Sequence, residues 1–253
     1  MSLKHNVIIV TGSSSGVGAA TARLLATRGC HVVINYSSSE QAARKVAGEC
    51  EALGVETIVV KANVAIDNDC HQLVNSALEK WGRLDGLVNN AGKTKFVPHG
   101  QLSGLEKDDF FDIYGVNVVG PYQMIRAAED ALRASGRASI VNVSSIAGVT
   151  GIGSSIAYAA SKGALLTMTQ SLARVMGPEI RVNAVCPGFI QGEWLEKGMG
   201  DSYKKIMSSL QASAPLQLTC TPETVADSIV SFLEGHSVVT GQHIILDGGQ
   251  YLV

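Results

Sequence analysis

Seven short runs of β-branched and aliphatic residues alternate with helix-length segments along this 253-residue chain, and no other feature restricts its fold so tightly. The runs are His5–Thr11, His31–Tyr36, Thr57–Lys61, Leu84–Asn89, Ala138–Ser144, Ile180–Val185 and His243–Leu246. Between them lie Val17–Gly29, Ser39–Leu53, Asn68–Trp81, a long pair from Leu105 to Ser135, Ile156–Met176 and Pro222–Leu233. Such alternation calls for a parallel sheet wrapped by helices on both faces. Val7-Ile8-Ile9-Val10 and Ile140-Val141-Asn142-Val143 are nearly continuous apolar, as strands buried on both sides must be. With no internal repeat and no linker-like stretch, residues 1–253 are expected to form one α/β domain, a doubly wound seven-stranded parallel sheet.

Composition removes several functional classes. Hydrophobic residues make up 46% of the chain but aromatics only 5%, so the core is built of Val, Ile, Leu and Ala. The net charge is −2 with dispersed basic residues, which lacks the basic face of a nucleic-acid binder. Five cysteines (Cys30, Cys50, Cys70, Cys186, Cys220) are scattered without a Cys-x-x-Cys pair. That argues against a metal site or a disulfide framework and for a reducing, cytoplasmic setting. The stretch Met1–Asn6 has no apolar run of the secretory kind, and no 18-residue apolar segment is present to span a membrane.

Two constellations carry chemistry. After the first strand comes Thr11-Gly12-Ser13-Ser14-Ser15-Gly16-Val17-Gly18. Glycines there let the backbone turn tightly and approach a pyrophosphate, whose charge the amides of the next helix hold. A glycine-rich loop alone is a weak signal. Following an apolar strand and opening a helix, it sits where a dinucleotide site needs it. The second constellation is Tyr158-Ala159-Ala160-Ser161-Lys162, with Ser145 upstream. Residues four apart share a helix face, so phenol and ammonium project into one space. The cation is expected to lower the phenol pKa towards working pH, making Tyr158 a general acid/base. Tyrosine and lysine four apart are also ordinary helix-surface neighbours, so the pair gains weight only from the rest of the chain.

The spacing Gly-x-x-x-Gly-x-Gly resembles the short-chain dehydrogenase/reductase family, and the other motifs of that family follow in order over essentially the whole chain. They are Asn89-Asn90-Ala91-Gly92, Asn117 in Val116-Asn117-Val118-Val119-Gly120, Ser145, the Tyr158/Lys162 pair, Pro187-Gly188 and Asp247-Gly248-Gly249. The resemblance implies a Rossmann fold and a carbonyl–alcohol oxidoreductase using NAD or NADP. It assigns Tyr158 as acid/base, Lys162 to the phenol and the nicotinamide ribose, and Ser145 to the substrate oxygen. Asn117 would hold a water linking Lys162 to solvent. Ser144 sits one residue off the family spacing and would point to the other face of its strand. Dinucleotide contacts are expected from Gly12, Ser14, Ser15, Gly16, Val17, Gly18, Tyr36, Ser37, Asn63, Val64, Asn90, Ala91, Gly92, Tyr158, Lys162, Pro187, Gly188 and Ile190. 3-Oxoacyl-carrier-protein reductases and glucose or polyol dehydrogenases look nearest, and a catalytically idle dinucleotide-binding regulator is the alternative. An acyl-carrier substrate would want a basic docking patch by the cleft, which Glu179 and a thin basic content there do not support.

Departures from family habit carry their own expectations. Asn63-Val64 replaces Asp-Val, so an adenine contact would pass through an amide oxygen. Gly192 stands where many relatives have threonine, removing a hydroxyl that meets the carboxamide. Lys93-Thr94-Lys95-Phe96-Val97-Pro98-His99 is long and basic, with Phe96 and His99 at the border of the cleft and His99 read as solvent-exposed. Tyr36 replaces the aspartate of NAD-preferring relatives, while Asn35, Ser37 and Ser38 offer neutral donors. NADP is therefore expected to be preferred, with appreciable NAD use. Gln191–Pro215 reads as a lid. Small residues on Ile156–Met176 (Ala157, Ala159, Ala160, Gly163, Ala164) suggest close helix approach between subunits of a homotetramer.

Overall fold

The computed structural model describes residues 3–253. Seven strands, β1 (Val7–Val10), β2 (His31–Tyr36), β3 (Thr57–Lys61), β4 (Gly86–Asn89), β5 (Ala138–Val143), β6 (Ile180–Pro187) and β7 (His243–Leu246), form one parallel sheet in the order β3-β2-β1-β4-β5-β6-β7. The expected doubly wound fold is present, with three of the seven expected strands matched residue for residue. Helices α1 (Gly16–Thr27), α2 (Glu40–Glu51), α3 (Asp67–Trp81), α4 (Lys107–Tyr114), α5 (Gly120–Ala134), α6 (Ala147–Thr150), α7 (Ile156–Met176), α8 (Glu193–Met199), α9 (Tyr203–Ser213) and α10 (Pro222–Glu234) complete the described chain.

Alternation along β1 shows how the two cores are loaded. Ile8 and Val10 face a cluster that includes Leu25 of α1, Val46 of α2 and Ile229 of α10. Val7 and Ile9 face Leu73 of α3, Met124 of α5 and Ile140 of β5. All four β1 side chains are at most 1% exposed. Strand order reverses between β1 and β4, which opens a crevice outside the carboxyl ends of the strands. In a sheet of this kind that crevice is the binding position.

Two differences from the sequence reading bear on the site. The long Leu105–Ser135 pair is broken by one π-helical turn, Gly115–Val119, which carries Asn117. Gly120 follows, where a Cβ would stand 2.8 Å from Val64 Cγ2, so only glycine lets α5 pass that loop. The second difference concerns the small residues of α7. Ala157 and Ala159 are buried within the subunit, and a Cβ on Gly148 of α6 would lie 2.7 Å from Gly163 N. Ala157, Ala159 and Gly163 thus pack inside the chain, with α6 close against α7, while Ala160 is exposed and Ala164 half-buried.

Candidate active site

The crevice is built by ties between distant turns. Thr11 Oγ1 accepts from the backbone amides of Asn90 (2.9 Å) and Ala91 (3.0 Å), and Asn90 Nδ2 donates to Thr11 O (2.9 Å) and Gly12 O (3.1 Å). The glycine-rich loop and the Asn-Asn-Ala-Gly turn are therefore one unit. Gly12 (φ +62°) and Gly16 (φ +52°) adopt left-handed conformations that favour glycine. A Cβ on Gly18 would lie 2.5 Å from Gly12 O, so the first turn of α1 can sit this close only without one. Ser15 precedes α1 without capping its amides through its side chain, and no acidic residue occupies that first turn. Uncapped amides beside the open space above Gly16 fit an anion such as pyrophosphate.

Asn35 is the hub that sequence reasoning missed. Its Oδ1 accepts from Gly12 N at 2.9 Å and its Nδ2 donates to Ala62 O at 3.0 Å, while its backbone N–H donates to Ser13 Oγ at 2.9 Å. At 2% exposure it is committed to structure and offers no donor to a phosphate, contrary to expectation. Ser37 and Ser38 remain exposed. The Tyr36 hydroxyl meets the Glu40 carboxylate, which raises the Tyr36 pKa through burial and that contact. Arg44 Nη2 pairs with Glu40 Oε1 at 2.7 Å. A carboxylate does therefore stand at the end of β2, four residues beyond Tyr36. Asn63 is exposed, and its Oδ1 accepts from Ala65 N at 3.1 Å, which fixes the amide within its own turn and leaves one lone pair on that oxygen. Val64 is buried as packing.

On the other side of the crevice, Ser155 caps α7 by accepting from Tyr158 N at 3.3 Å, which places the tyrosine in the first helical turn. Lys162, one turn on and 4% exposed, holds its Nζ 5.7 Å from the Tyr158 ring centroid and donates to Val143 O at 2.8 Å. The Ser145 hydroxyl hydrogen-bonds the phenol and accepts from Ala147 N at 3.1 Å. Ser144 instead donates to Lys162 O at 2.9 Å and is structural.

Burial pushes the Tyr158 phenol up to about 12, with the Ser145 hydrogen bond acting the other way. Burial also pulls Lys162 down to about 8, partly offset by Cys186. The expected depression of Tyr158 by Lys162 is therefore not present. Desolvation of the phenolate outweighs a cation that sits over the ring and is itself bonded to a carbonyl. At neutral pH this arrangement holds a protonated phenol beside a charged ammonium.

Asn117 is fully buried and its side chain is spent. Oδ1 accepts from Lys93 N at 2.8 Å; Nδ2 donates to Lys93 O at 2.9 Å and to Ser161 Oγ at 3.0 Å. Only its backbone carbonyl is left for the expected water, and it lies in the π-helical turn. Lys93 and Lys95 are ion-paired to Asp112 (2.6 Å) and Asp109 (2.7 Å) of α4. His99 is half-buried and its Nε2 is buried without a hydrogen-bond partner, so the solvent-exposed reading does not hold. Glu179 precedes β6 and so lies at the sheet end opposite the crevice, paired with Arg133 at 2.8 Å; its charge has no bearing on the cleft.

Pro187 ends β6, and Gly188 N donates to Leu246 O at 2.7 Å. A Cβ on Gly188 would stand 2.9 Å from Asp247 Cβ, which explains why two glycine-bearing turns meet here. Ile190 bridges to Cys220 in parallel fashion. Gly192 has φ +142° and donates its amide to Tyr203 Oη at 3.1 Å. Glycine is thus required by the backbone at the position where relatives place threonine.

A sequence-family profile described as Enoyl-(Acyl carrier protein) reductase matches residues 12–250. The chain is 40% identical over 247 residues to a Streptomyces violaceoruber protein named as ketoacyl reductase 2 of the granaticin polyketide synthase, covering 98% of this chain and 96% of that one. A solved Burkholderia xenovorans structure described as a short-chain dehydrogenase/reductase superposes with TM-score 0.92 at 39% identity, covering 98% and 99% of the two chains. An NAD+-bound xylitol dehydrogenase superposes with TM-score 0.89 at 27% identity, covering 98% and 100%. The fold, the glycine loop tied to Asn90 and Ala91, and the Ser145–Tyr158–Lys162 cluster thus belong together: the chain is a member of the short-chain dehydrogenase/reductase family, an NAD(P)-dependent oxidoreductase acting between carbonyl and alcohol.

Proposed function

We propose that the protein reduces a ketone to a secondary alcohol, with Tyr158 as proton donor and NADPH as the preferred cofactor. The observation that carries this reading is the Tyr158 phenol, joined to Ser145 and overlooked by the Lys162 ammonium 5.7 Å from its ring. When bound, the nicotinamide supplies the hydride. Ser145 would turn its hydroxyl from the phenol to the carbonyl oxygen, donating a hydrogen bond that stabilises charge developing there. Tyr158 Oη delivers its proton to that oxygen and becomes a phenolate beside the Lys162 cation. Asn117 holds Lys93 and Ser161 in place beneath the site, and its main-chain carbonyl is the remaining acceptor for a water. A phenol protonated at neutral pH supports reduction over oxidation, as does the likeness to a ketoacyl reductase.

Gly12, Ser14, Ser15, Gly16, Val17 and Gly18 would hold the pyrophosphate, and Tyr36 with Ser37 the adenosine ribose end. Asn63, Asn90, Ala91, Gly92, Pro187, Gly188 and Ile190 would line the rest. NADP preference is supported by tyrosine in place of aspartate, by exposed Ser37 and Ser38, and by Lys61, in register with Tyr36. Glu40 works against it, so NAD use is retained. Spectrophotometric turnover of a ketone panel with each nucleotide tests this, and Tyr36→Asp should reverse the preference. A wild type that strongly favours NAD, or oxidises alcohols only, overturns the assignment.

A homotetramer is supported by two separate exposed apolar faces. One carries Phe111, Val119 and Tyr122 on α4, the π turn and α5; the other carries Ile244 on the edge strand β7. Light scattering should return a mass of four chains; a monomer at micromolar concentration refutes it. Gln191–Pro215, folded as α8 and α9 with a 3₁₀ turn between, acts as the lid. Five free, buried cysteines suit a reducing cytoplasm, and among the described residues no helix is long and apolar enough to cross a membrane.

A further inference from the structure

We propose that Phe96 and Trp194 form an aromatic wall beside Tyr158 that selects flat cyclic or aryl ketones over sugar-like and small acyclic ones. This rests on the reading that a ketone is reduced at Tyr158. The loop bearing Phe96 is pinned at four residues, Lys93, Thr94, Lys95 and Val97. Asn117 holds both backbone groups of Lys93, and Lys93 and Lys95 are paired to α4. Thr94 Oγ1 meets Ser154 Oγ at 2.6 Å, and Val97 N donates to Ser154 O at 2.8 Å. The stretch of backbone that carries Phe96 is thereby held in place.

Helix α8 rests on the Phe96 ring. A Cβ on Gly198 would be 2.1 Å from Phe96 Cε2, so only glycine lets the helix lie across the ring. Trp194, one turn earlier on the same face, has its ring centroid 6.2 Å from Phe96 at 64° and 6.2 Å from Tyr158 at 57°. These are the tilted and edge-on geometries aromatic rings favour. Trp194 is nonetheless 50% exposed, which leaves apolar ring surface uncovered next to the phenol.

Three polar side chains of the loop that carries Phe96 are already paired. Thr94 has Ser154, Lys93 has Asp112 and Lys95 has Asp109. A sugar-like ketone entering here would strip its hydroxyls of water without finding partners in these side chains. A flat ring would cover the exposed face of Trp194 at no such cost. An acyclic ketone would cover little of it.

The test compares 2-tetralone, ethyl acetoacetate and xylulose in wild type, Trp194→Ala, Phe96→Ala and Gly198→Ala. Wild type should favour 2-tetralone over xylulose by more than about tenfold in kcat/KM. Trp194→Ala should lower kcat/KM for 2-tetralone by about tenfold, mostly through KM, with ethyl acetoacetate changed less than about threefold. Gly198→Ala should reproduce that loss by lifting α8 from Phe96. Equal losses on both ketones, or xylulose turned over as well as 2-tetralone, overturn the wall. A second readout does not need turnover. In a Trp81→Phe background, Trp194 is the remaining tryptophan, and 2-tetralol should quench its fluorescence saturably. Absence of quenching overturns the wall; quenching without reduction of any ketone sustains the wall and overturns the catalytic reading alone.

Discussion

The floor and the roof of the cleft are held together by different forces. Beneath Tyr158, Asn117, Asn142, Ser144, Ser161, Lys162 and Thr169 are each at most 4% exposed, and each hydrogen-bonds to backbone or to one another. Above it, α8 has no buried residue, and the roof is set by ring contacts and by glycines at Gly192 and Gly198. At the rim, Glu40 and Arg44 make an exposed pair. A buried polar group without a partner costs roughly 1–3 kcal/mol, whereas an exposed ion pair contributes about 0–1 kcal/mol. The floor is therefore over-determined, whereas the roof and rim are lightly held. On the proposed mechanism the floor would govern the reaction, and the roof and rim would govern which molecules undergo it.

The sharpest way to break that division is Tyr158→Phe. General acid–base groups contribute about 10²–10⁴-fold, so turnover should fall by at least that order while the melting temperature stays near wild type. Near-normal turnover on a genuine substrate would remove the phenol from the mechanism. Asn117→Ala attacks the floor from below. It removes the partners of Lys93 N and Lys93 O and one of the two hydrogen bonds of Ser161 Oγ, and should cost about 2–4 kcal/mol in denaturant unfolding, with activity lost alongside. A variant as stable as wild type would show that the floor is not over-determined.

Protonation sharpens the comparison next. Burial holds Lys162 near 8 and Tyr158 near 12. On the proposed mechanism reduction leaves a phenolate facing the Lys162 ammonium, so kcat/KM for reduction should be level below pH 8 and fall as pH rises through it. The fall is at most about tenfold per pH unit for loss of one proton. Tyr158 stays protonated over that range and cannot cause the limb. A descending limb that begins near pH 10 or higher would place the titration elsewhere.

These two regions also differ in how far the sequence discloses them. The strand–helix alternation, the glycine loop and the Ser145, Tyr158 and Lys162 cluster were legible because each is a local pattern with a fixed spacing. The sharing of Asn35 between Gly12 and Ala62 was not, since it joins β1, β2 and β3 turns that only the sheet brings together. Nor was the Phe96–Gly198 contact, which spans about a hundred residues, or the desolvation that overrides the Lys162 charge at Tyr158. Nor does the sequence reveal that Gly148 of α6 folds back against Lys162 and Gly163 of α7.

Gly192→Thr addresses the roof. It restores the hydroxyl that many relatives carry, yet at φ +142° the new side chain is strained. A rarely populated backbone conformation costs of order 1–3 kcal/mol, so the variant should melt lower and bind nucleotide no better. Tighter nucleotide binding at unchanged stability would show that the turn relaxes freely.

Glu40→Gln tests the rim and should have the smallest effect. The Glu40 carboxylate accepts from Tyr36 and is paired with Arg44, with Lys61 near enough to favour its charged form. Removing that one negative charge leaves two cations facing the place where a 2′-phosphate would sit. It also takes away an acceptor that a ribose hydroxyl of NAD would use. Both changes shift selectivity towards NADP. Glu40 and Arg44 are exposed, so solvent and salt screen the gain, and the NADP:NAD ratio of kcat/KM should rise only about two- to fivefold. The rise should shrink between 0.05 and 0.5 M salt, as the screening length drops below the separation of these groups. Melting should be unaffected, because no buried partner is stranded. A ratio that does not move, or that moves equally at both salt concentrations, would mean that Glu40 acts through the packing of Tyr36 instead, and the rim would then belong with the floor.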